Sequence, residues 1–205
     1  MKIKKFSSNQ GSKKIFNEVD FYFEDCQLNF ILGKKNIGKT KILDLIADLD
    51  NSRSTNFFGF PPGEKIAYMA QDNHFNVSLT VDEILFFVAH LEDATNYELP
   101  EVIREIQASK FSELSFEKRK LLLIYLNTMV EKDLYLFDEP EAGLSLIYSQ
   151  EIFGWFRELI EIDKTVIVAT SKLDNIRDIN NVNYIKNNRE VLADNYLKIK
   201  SRMAF

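Results

Sequence analysis

Leu28-Asn29-Phe30-Ile31-Leu32-Gly33-Lys34-Lys35-Asn36-Ile37-Gly38-Lys39-Thr40-Lys41-Ile42-Leu43-Asp44-Leu45-Ile46 reads as an apolar strand, a loop bounded by glycines, and an amphipathic helix. Residues 33–40 match G-x-x-x-x-G-K-[ST] in full. Each part of this pattern has a physical reason. Backbone N–H groups in the loop and at the start of the helix surround a β-phosphate. Lys39 then sets its ammonium against the β- and γ-phosphates, and the Thr40 hydroxyl ligates Mg²⁺. The residues expected to hold the nucleotide are therefore Gly33, Lys34, Lys35, Asn36, Ile37, Gly38, Lys39 and Thr40. Asn36 stands where many such loops have glycine, and asparagine is among the non-glycine residues best able to adopt positive φ. A Gly-Lys-Thr turn can be no more than a helix start; the strand before it and the helix after it favour the phosphate loop.

A second stretch points to the same chemistry. Leu134-Tyr135-Leu136-Phe137-Asp138-Glu139 is an apolar strand ending in two carboxylates. Ligands of open α/β sheets bind beyond the carboxyl ends of strands, where these residues would lie. Asp138 can hold Mg²⁺ through water, and Glu139 can polarise an attacking water. A strand ending in a polar turn before Pro140 would look similar in isolation, but the upstream loop makes the functional reading the better one.

Around these motifs the chain reads as an α/β domain. Strands are expected near 2–6, 18–24, 27–32, 65–69, 133–138 and 164–170, with a short pair near 182–186 and 189–193. Helices are expected at 39–49, 81–91, 100–109, 116–131, 147–161 and 173–178. Thr80 and Glu83 form a capping-box pattern at the second helix, and Pro100 suits the first turn of the third. Nearly continuous apolar strands interleaved with helices imply a largely parallel sheet. Residues 72–114 contain helical patterns and no convincing strand, so they read as an all-helical insertion.

Composition narrows the function. The 205 residues, 45% hydrophobic with 17 phenylalanines, suit one domain, expected to span 1–205, with a substantial core. A net charge of −5 argues against nucleic acid as a partner. Cys26 is the only cysteine, which excludes an internal disulfide and points to a reducing compartment. No apolar run is long enough to cross a membrane, and no signal peptide is recognised. His74 and His90, the only histidines, show no metal spacing.

The order of motifs resembles that of ABC transporter ATP-binding subunits, over nearly the whole chain. Gln71, in Ala67-Tyr68-Met69-Ala70-Gln71, occupies the place of the Q-loop glutamine, which in that family contacts the metal and the attacking water. Leu114-Ser115-Phe116-Glu117-Lys118 stands in place of the LSGGQ signature, and Pro140-Glu141-Ala142-Gly143-Leu144-Ser145 resembles the D-loop. Ser171, or Lys172 if the register slips by one, falls at the switch histidine. The resemblance implies an ABC-type P-loop fold with a mainly parallel core, an N-terminal antiparallel part and a helical subdomain. It implies ATP and Mg²⁺ as ligands, with Lys39, Gln71 and Glu139 in catalysis and Thr40, Gln71 and Asp138 at the metal. The expected partners are a second nucleotide-binding subunit, which sandwiches ATP head to tail with this one, and transmembrane permease subunits. Those partners would hold the chain on the cytoplasmic face of a membrane.

Four departures qualify that expectation. Phe116 and Glu117 replace the signature glycines, whose absence of side chain permits close approach to a partner's γ-phosphate. The switch histidine is missing, and Ser145 stands where the D-loop usually has aspartate. No aromatic for stacking adenine is evident near the start: Gln10 falls near that position, with Phe6 or Phe16 as substitutes. A catalytically weak or regulatory subunit paired with a complete one is therefore the alternative, and a soluble ABC protein acting on ribosomes or DNA a third reading. Phe57, Phe58 and Phe60 read as core. Phe86, Phe87 and His90 lie where the family grips its membrane subunit.

Overall fold

Strand β3 (Leu28–Leu32) is buried along its whole length, and its alternating side chains enter two different cores. Leu28, Phe30 and Leu32 join one apolar cluster, and Ile31 joins the other. Strands β6 (Leu134–Asp138) and β7 (Thr165–Thr170) divide in the same way. Tyr135, Phe137, Val166 and Val168 face the first core, whereas Leu134, Leu136, Ile167 and Ala169 face the second. Near-continuous apolar runs are what parallel strands covered on both faces require.

The computed structural model describes residues 1–48, 56–71, 78–91 and 98–203. Its main sheet has the order β5-β6-β7-β3-β8-β9, with β5 at Ile66–Met69, β8 at Asn181–Asn187 and β9 at Glu190–Asn195. All neighbours are parallel except β8 and β9. One face carries α2 (Val81–Leu91), α4 (Phe116–Met129) and α5 (Leu146–Glu161). The other face carries α1 (Lys39–Ala47) and an antiparallel sheet of order β2-β1-β4, from Lys13–Tyr22, Lys2–Gln10 and Phe57–Phe58. Phe6, Phe16, Phe21, Phe23, Phe57 and Phe60 link ring to ring beneath that sheet, with centroids 5.8 to 6.5 Å apart. Phe57 and Phe60 are therefore packing residues, while Phe58 is 46% exposed.

The first two strands, expected near 2–6 and 18–24, are longer than their sequence patterns suggested. β1 and β2 continue to Gln10 and Lys13, where the polar residues Ser7, Ser8 and Asn9 and shifts of register break the alternation. The helix expected at 100–109 is confined to α3 (Glu101–Arg104). The chain has to turn there, because Gln107 and Ser109 offer their carbonyls to the Asp82 and Val81 amides, and Lys110 bridges to Thr80. The helix expected at 173–178 is absent and turns replace it: Ile176 N–H donates to Leu173 O at 3.1 Å, and Asn180 Oδ1 accepts from Arg177 N–H at 2.8 Å. An unanticipated short helix, α6 (Tyr196–Lys200), is capped by the Asn195 side chain. The Thr80–Glu83 capping box forms as expected, with Glu83 Oε2 accepting from Thr80 N–H at 2.8 Å.

Buried asparagines join the two sheets. Asn29 Oδ1 accepts from Glu24 N–H and Asn181 Nδ2, each at 2.8 Å, and its Nδ2 donates to the Glu24 and Gln27 carbonyls. Asn183 takes both backbone groups of Tyr22, at 2.8 and 2.7 Å. A leucine at position 29 would fill similar space and leave these buried groups unsatisfied, at a cost of about 1–3 kcal/mol per group. Asn29→Leu is therefore expected to lower the unfolding free energy by about 2–4 kcal/mol; denaturant titration beside the parent chain checks this.

Candidate nucleotide-binding site

The carboxyl ends of β3, β7 and β6 lie side by side, and the two motifs meet there. The loop leaving β3 begins with Gly33 N–H donating to Thr170 O at 3.3 Å and ends at Gly38, with φ of 111°. A Cβ on Gly38 would approach Ile15 Cγ2 and the Phe16 ring to 2.8 Å, so only glycine fits. Asn36 adopts positive φ, 59°. Gly38 is also the N-cap of α1, and having no side chain it leaves the first-turn amides without a side-chain acceptor.

Lys39 is 5% exposed and curls back over the loop, its Nζ 3.0 and 3.1 Å from the Gly33 and Lys34 carbonyls and 3.0 Å from Glu139 Oε1. Thr40 Oγ1 donates to Asp138 Oδ2 at 2.5 Å. The other carboxylate oxygen, Asp138 Oδ1, is buried and has no hydrogen-bond partner among the described residues. Burial pushes the Asp138 carboxyl above the usual aspartate range, the nearby Glu139 and Asp44 charges push the same way, and the Thr40 bond and Lys39 oppose them. A hydroxyl touching a carboxylate that has one oxygen to spare fits a divalent cation held by the hydroxyl directly and by the carboxylate through water. Gln71, exposed, lines the same cavity of about 720 Å³.

Glu139 is held from several sides. Its backbone is left-handed, with φ of 46°, and its N–H donates to Ala169 O at 2.8 Å. Its Oε2 accepts from the Ser171 hydroxyl at 3.2 Å and from the Ser171 N–H at 3.4 Å. A loop that can wrap a triphosphate, a metal-ready pair beside it and a carboxylate aimed at its lysine make a constellation suited to phosphoryl transfer.

No family model matches the chain. A solved ATP-binding subunit of an ABC transporter superposes with a TM-score of 0.75 at 17% identity, over 98% of this chain and 92% of that one. The fold is that of an ABC nucleotide-binding domain. In sequence, the chain is 24% identical over its whole length to the ABC transporter ATP-binding protein YtrB of Bacillus subtilis, spanning 77% of that protein. It is 25% identical, over 86% of its length, to a Treponema denticola protein assigned to the ABC transporter ATP-binding proteins, and spans 38% of that protein.

The chain brings Lys39, Thr40, Gln71, Asp138 and Glu139 to one cavity. Ser115 does not line it: it is exposed and caps α4. Ser171 reaches Glu139. The expected substitutes for an adenine-stacking ring are corrected: Phe6 and Phe16 are buried in the core, and Asn9 and Ile15 are what line the cavity from the first two strands. The Gln10 side chain and His74 lie outside the described residues. Phe86 and Phe87 are exposed on α2, where the His90 ring packs 3.9 Å from Phe86. No described helix is long and apolar enough to cross a membrane.

The structure adds residues that the motifs did not disclose. Tyr68 donates its hydroxyl to Asp44 at 2.8 Å, which ties β5 to α1; burial first, and then that bond, pushes the phenol upward. Thr170 donates to the buried carboxyl of Glu141, which burial pushes upward against that bond. Lys120 reaches into the turn after β6. Its only signal in the sequence is a lysine directly before the apolar run of residues 121–126.

A cation held at Asp138 would bind in a pH-dependent way. Its carboxyl holds a proton to higher pH than an exposed aspartate, and that proton competes with a cation. Mg²⁺-dependent nucleotide affinity is therefore expected to weaken as pH falls through this raised range, above the ordinary aspartate pKa of about 3.9. Titrations of Mg²⁺-nucleotide binding from neutral to mildly acidic pH, with Asp138→Asn as the control that lacks the step, measure it.

Proposed function

We propose that this chain is the ATP-binding, ATP-hydrolysing subunit of an ABC transporter. The observation that carries this reading is the convergence of the loop and the acidic strand, with Thr40 on Asp138 at 2.5 Å and Lys39 on Glu139 at 3.0 Å. Residues 1–205 act in this reading as one ABC-type domain, with a helical subdomain at about 72–114 inserted in the α/β core. Relatives named as ABC transporter ATP-binding proteins support it.

The loop residues Gly33 to Thr40 wrap the triphosphate, with the α1 N-terminus behind the β-phosphate. Lys39 turns from Glu139 to the β- and γ-phosphates, and the released carboxylate orients a water against the γ-phosphorus and takes up its proton. Ser171 holds the second carboxylate oxygen during that step, and Gln71 lies at the cavity's edge beside the water. Thr40, and Asp138 through water, would hold Mg²⁺, which would supply charge neutralisation to the phosphates. The water–phosphorus bond forms as the bridging oxygen leaves on ADP, yielding ADP and phosphate.

The working unit in this reading is a dimer of nucleotide-binding subunits beneath transmembrane permease subunits, peripheral to the inner face of the cell membrane. The α2 patch of Phe86 and Phe87 is exposed, as a docking surface would be. Turnover is slow, because the signature-like turn at Ser115 carries two side chains where close approach to a partner's phosphate needs none. Both of those side chains already contact the chain's own turn: Phe116 lies against Gly143, and Glu117 Oε1 accepts from Ser145 N–H at 2.6 Å. That favours, as a second reading, pairing with a complete ABC subunit that supplies the signature to this P-loop.

Lys39→Ala is expected to weaken ATP binding about ten- to a hundredfold, the loss of charge-assisted bonds to the phosphates. Glu139→Gln is expected to keep binding and lose turnover by about 100-fold or more. Phosphate release and nucleotide binding, measured in parallel, decide the matter: unchanged binding in Lys39→Ala would falsify the nucleotide reading.

A further inference from the structure

Lys120 is a buried lysine that no step above uses. Its Nζ donates to Glu139 O at 3.0 Å and Ala142 O at 2.8 Å, the carbonyls at either end of the turn that presents Glu139. Phe116, one helical turn earlier on the same face of α4, lies against Gly143. Gly143 has φ of 79°, which favours glycine, and a Cβ there would stand 2.6 Å from Cε1 of the largely exposed Phe116 ring. Glu117 accepts the Ser145 N–H at the start of α5, where a carboxylate is favoured by the helix dipole. Three side chains from the first two turns of α4 therefore hold one turn of backbone, residues 139–145.

That turn needs an external hold. Glu139 is a non-glycine residue with φ of 46°, a conformation that persists only where its surroundings impose it. The turn's own backbone bonds, Ala142 N–H to Glu139 O and Leu144 N–H to Glu141 O, close it at 3.0 and 3.2 Å and do not anchor it to the body of the domain. Lys120 does, together with Glu139 N–H on Ala169 O at 2.8 Å, Thr170 on the Glu141 carboxyl, and Lys172 on Glu141 O at 3.2 Å. The buried ammonium is offset by the neighbouring Glu141 and Glu139 charges.

We propose that the start of α4 is an intrachain clamp on the turn 139–145, and that Lys120 is the positioning residue that keeps the Glu139 carboxylate on its water. Phe116 and Glu117, which stand where the resembling family has glycines, belong to this clamp. The inference rests on the hydrolytic reading of Glu139. A misplacement of about 1 Å at a reacting group costs on the order of 100-fold, so a loosened turn shows in turnover before it shows in binding.

The test uses the full chain with Mg²⁺-ATP and compares Lys120→Met, Lys120→Arg and Glu139→Gln for turnover, ATP affinity and thermal melting. Lys120→Met is expected to lose turnover about 10- to 100-fold while ATP affinity stays within about threefold, and Lys120→Arg to recover most of the loss. Wild-type turnover in Lys120→Met, beside an inactive Glu139→Gln, overturns the inference alone. Turnover, affinity and melting temperature that fall together in Lys120→Met overturn it too, since the role is then structural. Failure of the hydrolytic reading looks different: wild type and Glu139→Gln then turn over ATP alike, and the clamp's catalytic role goes with it.

Discussion

Strand Leu28–Leu32 has no exposed face and no free edge, so its side chains must satisfy two cores at once. The apolar residues at 28, 30 and 32 commit one side of the sheet to the helices α4 and α5. Ile31 and the anchoring amide of Asn29 commit the other side to α1 and the phenylalanine-rich antiparallel sheet. A strand covered in this way is rigid, and rigidity at its carboxyl end is what a phosphate-binding loop needs. The loop's glycine at 38 is packed directly over Phe16 of that second core, so the geometry of the site follows from the packing beneath it.

Charge burial is the second organising constraint. Lys39, Lys120, Asp138, Glu139 and Glu141 are all buried within a short stretch of the sheet's carboxyl edge. Charges in such a place persist only when paired or hydrogen-bonded. Each is: Lys39 with Glu139, Lys120 with two carbonyls, Glu141 with the Thr170 hydroxyl, Asp138 with Thr40. The atoms left over, Asp138 Oδ1 and Glu141 Oε2, have no hydrogen-bond partner among the described residues. The first of them points to chemistry, because it belongs to the carboxylate touching the Thr40 hydroxyl.

The departures from the family pattern have different structural meanings. Ser171 bonds Glu139 through both its hydroxyl and its amide. Phe116 and Glu117 are engaged with Gly143 and Ser145 of the same chain, so they are parts of one local arrangement and not separate losses. Glu117 spends its charge on the N-terminus of α5, an attraction that an isolated reading of the signature missed. Phe6 and Phe16 are in the core, and an aliphatic residue, Ile15, lines the cavity.

The amino-acid sequence alone determined the parts whose signals are local. A glycine-bounded loop between an apolar strand and an amphipathic helix, and an apolar strand ending in Asp138–Glu139, can each be read within ten or so residues, because their backbone conformation and chemistry are set by near neighbours. The parallel core and the helices beginning at Lys39, Val81, Phe116 and Leu146 were legible for the same reason. Tertiary structure alone decided what depends on partners far along the chain. The end of α3 is set by the pairing of residues 107–110 with the start of α2, the turns after Ser171 by bonds such as Asn175 to Ser149, and the membership of Phe16 in the core by Gly38 above it. The role of Lys120 belongs here too. A lysine at the edge of an apolar run looks like a solvated end of a helix until the fold brings the carbonyls of Glu139 and Ala142 within 3.0 Å of it, across some twenty residues of chain.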